Sequence, residues 1–172
     1  MVSLRLIFLV TVIIISDAIG DKCENGNKEF CDLIGDAHKA NEDGLKLMKL
    51  VLDGNGTKAL QLADSFVVAV LKAKQSELID GLKTALTAQL NAYDKVKADC
   101  SSSNGKCEEV LFEVGYATLG LIMAIAEVHP VAKTKTTIED ILSTLYPLMF
   151  ESNASVYRDK LHASGQQILA IM

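Results

Sequence analysis

The sequence predicts an all-α protein, a disulfide-stapled antiparallel helical bundle of about five to six helices that follows a cleaved signal peptide. Three observations point there. Beyond Cys31 the apolar residues recur at three- and four-residue intervals, and no stretch of strand length alternates cleanly. Cys23, Cys31, Cys100 and Cys107 all lie past the first twenty residues, an even number that reads as two disulfides. Polar turn motifs cut the helical pattern into pieces of similar length, as a compact bundle requires.

The first segment, "MVSLRLIFLVTVIIISDAIG", has Arg5 in a short leading region, an apolar run from Leu6 to Ile15, and small residues at Ala18 and Gly20. That is the layout of a secretory signal peptide occupying residues 1–20, with cleavage after Gly20. Its apolar run is about half of the roughly twenty residues a spanning helix needs. Residues 21–172 are then one secreted, extracellular domain, a length that buries a sizeable core without help. The net charge of −5 is unchanged by cleavage, because one charge of each sign is lost. Acidic residues spread along the chain argue against nucleic acid, and no polybasic segment addresses an anionic membrane.

The first helix is expected from about Phe30 to Leu52, with Ile34, Ala37, Leu45, Met48 and Leu52 on one face and Gly44 weakening its middle. "DGNGT" stops it through Gly54 and Gly56. From Lys58 to Asp99 the pattern hardly breaks, placing Leu62, Phe66, Val70 and Ala73, then Leu78, Leu82, Leu86, Leu90, Tyr93 and Val96, on inward faces. One rod of that length would reach roughly 60 Å, so a break is expected in "AKQSELIDG", with Ser76 as cap and Gly81 relaxing the backbone.

"SSSNGK" is a polar turn that makes its flanking helices antiparallel neighbours. The next helix holds "EVGYATLGLIMAIAEVH" and ends before Pro130. "KTKTT" reads as a loop, with Thr137 capping a helix from Ile138 to Phe150 that Pro147 kinks or divides. A last helix begins near "SNAS" and turns Val156, Leu161, Ile168 and Ile171 inward.

The folded-back topology places Cys100 at the far end from Cys31, about 30 Å away for helices of twenty residues. A disulfide needs Cα atoms within about 7 Å, so local pairs are expected, Cys23 with Cys31 and Cys100 with Cys107. C-x7-C and C-x6-C are too wide for zinc knuckles. Asn55 and Asn153 head two N-x-[ST] sequons in turn-like contexts and are candidate glycosylation sites.

Between Glu113 and Glu127 the chain has thirteen uncharged residues, about 20 Å of helix against the roughly 30 Å of a bilayer core. No membrane span is therefore expected in the mature chain. At 100° per residue, Glu109, Glu113, Gly120, Ala124 and Glu127 share one narrow stripe with Ala117 at its edge. Phe112, Val114, Tyr116, Leu119, Leu121, Ile122, Met123 and Ile125 cover the rest, which describes a central helix with one closely approached or wet seam. Were the core to hold a ligand, Tyr116, Leu119, Ile122 and Met123 are the residues to line its cavity.

No catalytic constellation is present in the pattern. His38 with Glu42, and Asp32 with Asp36, stand four apart and read as solvated helix charges. His129 follows a helix C-terminus, where the dipole favours it. His162 has no acidic or cysteine partner at ligand spacing. Neither a metal nor a cofactor is expected, and the function expected is non-enzymatic: binding of an extracellular protein partner, as effectors, inhibitors and signalling bundles do. The alternatives are a carrier of a small apolar ligand or lipid in the bundle core, and an abundant structural or storage secretion.

Overall fold

The computed structural model describes residues 28–51, 54–71, 78–100, 105–150 and 154–172. Those residues form six α-helices: α1 Lys28–Val51, α2 Gly54–Leu71, α3 Leu78–Asp99, α4 Gly105–Val128, α5 Ala132–Leu145 and α6 Ala154–Ile171. A single turn of 3-10 helix, Tyr146–Phe150, follows α5. The protein is all-helical, and no strand occurs among the described residues. The signal-peptide segment, Cys23, Leu52, Ala73, the Ser76 cap and Asn153 lie outside the described residues.

Helix packing follows from the chain's small residues. α1 pairs with α4 and with α2, α2 with α3, and α3 with α4, so these four close into a ring. α1 and α4 run in opposite directions, since Gly120 sits against Leu33 and Ala37 whereas Gly44 sits against Glu113 and Val114. α6 lies along α3 and α4, and α5 packs on α4 and α6. α4 is the most enclosed helix: Val114, Ala117, Leu121, Ile122, Ala124 and Ile125 are shut off from solvent.

The expected fold-back between Lys58 and Asp99 is present, because α2, ending at Leu71, and α3, starting at Leu78, pack side by side. Gly81, however, lies inside α3, where one glycine costs about 1 kcal/mol and is outweighed by Leu78 and Leu82 buried on either side. Gly54 and Gly56 also differ from expectation. They belong to the first turn of α2, where amide protons have no helical partner to lose and glycine is least costly.

The inward face of α2 is rotated from the expected one. Leu60, Ala63 and Val67 are buried and Phe66 partly so, while Leu62 is 53% exposed. The run "LADSFVVAVL" is apolar nearly all round, so periodicity alone chose the wrong row, whereas the small Ala63 permits the closer approach. Phe112, expected among the covered residues of α4, is 42% exposed. On α6 the buried row is Arg158, Leu161, Gly165 and Ile168, and Val156 and Ile171 fall outside it and are exposed.

"KTKTT" is not a loop. α5 starts at Ala132, two residues after Pro130, and Thr137 lies within it, donating its hydroxyl to the Lys133 carbonyl at 3.0 Å. Threonine tolerates a helix interior by this back-bond to the preceding turn. Pro147 does divide the segment, since its missing N–H ends α5 at Leu145 and the chain tightens into the 3-10 turn.

Candidate functional site

The four residues expected to line a ligand cavity share the enclosed part of α4 but divide into two kinds. Leu119 and Ile122 are buried in the main apolar cluster with residues of α1, α3, α5 and α6. Tyr116 and Met123 are half-buried and pack on the edge of that cluster. Tyr157 of α6 packs on the same edge, and its hydroxyl makes no hydrogen bond. Burial, followed by the nearby Asp36 and Glu113 carboxylates, pushes Tyr116 up to about 12. Burial does the same for Tyr157, with smaller contributions from Tyr116 and Tyr146. Both phenols are therefore neutral at physiological pH.

The predicted stripe of α4 forms its seam with α1. A side chain at Gly120 would meet the Ala37 methyl and the Leu33 carbonyl oxygen, each at 3.1 Å. At the other end of the seam Glu113 is half-buried beside Gly44, where its Cβ is 3.5 Å from the position a Gly44 side chain would take. Burial raises the Glu113 carboxyl to about 7, with Asp43 and Glu109 adding to the rise and Lys39 opposing it. Immediately before Ala37, Asp36 is raised to about 6, first by burial and then by Asp32. The Asp32–Asp36 pair is thus not a freely solvated one, as its spacing implied.

By length and composition the stretch Cys107–Val128 is long and apolar enough to cross a membrane, which corrects the argument from the thirteen uncharged residues. Its 72% burial within the fold gives the apolar character a different cause, packing against neighbouring helices.

The histidines join helices. His38 and Glu42 do share a face, at 3.5 Å, but the stronger contact is from His38 Nδ1 to Asp64 Oδ1 of α2 at 2.8 Å. His162 has the acidic partner that local spacing hid: its Nε2 lies 3.1 Å from Asp94 Oδ1 of α3, outside hydrogen-bond geometry, and its ring stacks on Tyr93 with centroids 4.9 Å apart. His129 accepts the Val131 amide at 3.2 Å and so holds the start of α5, while Lys135 Nζ donates to the Glu127 carbonyl at the end of α4. Among the described residues no group of three or more His, Cys, Asp or Glu side chains is placed to hold a metal ion.

Sequence reading missed Arg158. It is buried on α6, and its guanidinium donates to the Glu108 carboxylate and carbonyl at the first turn of α4. Beside it Lys97 and Tyr93 of α3 both donate to Asp159, at 2.6 and 3.2 Å. The Lys97 hydrogen bond holds the Asp159 carboxyl below its ordinary range. Nothing in local spacing marks these partners, which stand fifty or more residues apart.

Cys100 and Cys107 form the expected local disulfide, with Cα atoms 5.7 Å apart. No described cysteine is a free thiol. The pairing expected for Cys23 with Cys31 falls partly outside the described residues. Asn55 lies in the first turn of α2 and not in a loop. Replacing Cys100 and Cys107 together by serine is expected to lower stability by about 2 kcal/mol, the loop-closure entropy of so short a link, read as a lower urea midpoint at unchanged helical dichroism. An unchanged midpoint would show that the α3–α4 connection is held by packing alone.

No family model matches the chain, and neither a curated protein nor a solved structure is similar to it.

Proposed function

We propose that the protein is a secreted, disulfide-stapled antiparallel helical bundle that binds an extracellular protein partner through its outer helix faces. One observation carries the reading. The helix best suited to grip a greasy ligand has its central residues, Leu119 and Ile122, committed to contacts with other helices, while large apolar side chains such as Leu62, Phe112 and Val156 stand exposed on three different helices. The Cys100–Cys107 bond supports an oxidising compartment, where such cross-links form and persist.

The carrier reading keeps one support of its own. Tyr116, Met123 and Tyr157 sit half-buried along one edge of the core, so an apolar molecule with a polar end has an edge at which to enter.

Cross-linking in the native extracellular fluid, followed by mass spectrometry, tests the first reading. One protein is expected to be captured in constant proportion, and Leu62→Asp or Val156→Asp is expected to reduce its capture without altering helical dichroism. An organic extract of the purified protein containing a stoichiometric lipid, with no protein captured, would replace partner binding by carriage.

A further inference from the structure

The core of the four-helix ring is not continuously apolar. One cluster is built around Ile34, Leu86 and Ile122, a second around Leu60, Tyr93 and Val114, and the chain changes from one to the other at corresponding levels of its helices. Asn41 falls at that change on α1, Gln89 on α3 and Thr118 on α4, and all three are closed to solvent, Asn41 and Gln89 at 0% exposure. Gln89 Nε2 donates to the Val114 carbonyl at 2.9 Å, and Thr118 Oγ1 donates to the same oxygen at 3.0 Å.

Three polar groups of this layer make no hydrogen bond: Gln89 Oε1, Asn41 Oδ1 and Asn41 Nδ2. On α1, Asn41 lies at an angle between Ala37 and Gly44, which touch α4, and His38, which reaches Asp64 on α2. That direction is the axis of the ring. Gln89 is likewise flanked on α3 by the buried Leu86 and Tyr93, one turn to either side.

A buried amide left without partners is costly, and interiors meet that cost with ordered water when the surrounding groups are polar. The unmet groups comprise two acceptors and one donor. Water matches them, since it donates twice and accepts up to twice.

We propose that Asn41 and Gln89 form an internal polar site that takes one long-lived water molecule, which donates to Gln89 Oε1 and Asn41 Oδ1 and accepts from Asn41 Nδ2. The ligand class is a small neutral molecule able both to donate and to accept. A direct amide–amide pair is the competing solution, with Asn41 Nδ2 donating to Gln89 Oε1 and the second Gln89 Nε2 hydrogen donating to Asn41 Oδ1, but neither of those bonds is made here. The site also fixes helix register, since sliding α1 or α3 by one turn would press an amide into an apolar layer.

The test uses the oxidised, isotopically labelled protein and water itself as the probe. Magnetisation transfer from water to the Asn41 side-chain amide protons is expected, with the sign of a resident water and not of chemical exchange. Asn41→Leu and Gln89→Leu are each expected to abolish it and to raise the unfolding equilibrium constant about tenfold, while the double variant costs clearly less than the product of the two. Absence of transfer in the wild-type protein overturns the proposal even if no variant folds. So does independence of the two substitutions, or a direct contact between the Asn41 and Gln89 amides.

Discussion

Gly120→Val is expected to lower stability by about 3 kcal/mol, enough to unfold a marginal domain at physiological temperature. The cause is what lies opposite Gly120 on α1. A Cβ at Gly120 meets the Ala37 methyl and the Leu33 carbonyl oxygen at 3.1 Å, and both belong to the rigid backbone face of α1. A single methyl already forces the helices apart, and valine adds two more carbons in a restricted rotamer. Gly44 lies on the same seam with its nearest neighbours at 3.5 to 3.8 Å, ordinary contact distances. Gly44→Ala is therefore expected to be neutral or to gain up to about 1 kcal/mol from helix propensity alone. The pair of variants separates steric closure from a general intolerance of change along α1 and α4. Equal urea midpoints for Gly120→Val and the wild-type protein would mean that the two helices are not seated at this distance.

That seam also marks how far the sequence could be read. The stripe of Glu113, Ala117, Gly120 and Ala124 was visible as a break in an otherwise apolar helix, because periodicity is a property of one helix. Its partner was not, since nothing in the sequence says that Ala37 and Gly44 are the small residues that face it. The same limit governs the rest. Leu78, Leu82, Leu86, Leu90, Tyr93 and Val96 were legible as one buried face of α3, and all are buried. On α2 the apolar residues surround the helix, so periodicity turns Leu62 inward when Leu60 is the buried residue. Thr137 reads as a cap in the sequence because threonine favours both a cap and a back-bond to the preceding turn, and only the position of Pro130 relative to α5 decides between them. The local disulfide between Cys100 and Cys107 followed from chain reversal at the α2–α3 break, an argument in which helix lengths stand in for tertiary structure. Arg158 with Glu108, and His162 with Asp94, had no such surrogate. Ion pairs between distant helices are recorded in the sequence only as charges on otherwise apolar faces, as Arg158 is, one turn before Leu161, and such a charge does not name its partner.

Stability is expected to fall by about 2 kcal/mol between pH 5 and pH 8, and the α1–α4 seam is the reason. Burial raises Glu113 from 4.5 to about 7 and Asp36 from 3.8 to about 6. In each case the folded protein holds its proton more tightly than the unfolded chain does. The associated stability is fully present below the unfolded values, and it is lost as pH rises through about 6 for Asp36 and about 7 for Glu113. At about 1.4 kcal/mol per pH unit the two shifts amount to roughly 6 kcal/mol over the whole titration, of which about 4 kcal/mol falls between pH 5 and pH 8, and partial exposure of both carboxyls reduces that by about half. The facing charges favour this sign. Asp43 on α1 and Glu109 on α4 repel a Glu113 carboxylate more than Lys39 attracts it, and Asp32 repels Asp36. Asp159, lowered by its hydrogen bond from Lys97, acts in the opposite sense, but it is ionised throughout this range and contributes only in stronger acid. Urea midpoints measured from pH 5 to pH 8 check the slope, and Glu113→Gln assigns it. The amide keeps the shape and removes the titration, so this variant is expected to match the wild-type protein near pH 5 and to exceed its stability at pH 8, with Asp36→Asn removing most of the remaining slope. A wild-type midpoint that rises toward pH 8, or a Glu113→Gln variant that keeps the full decline, would place the titrating groups elsewhere and leave the seam indifferent to pH.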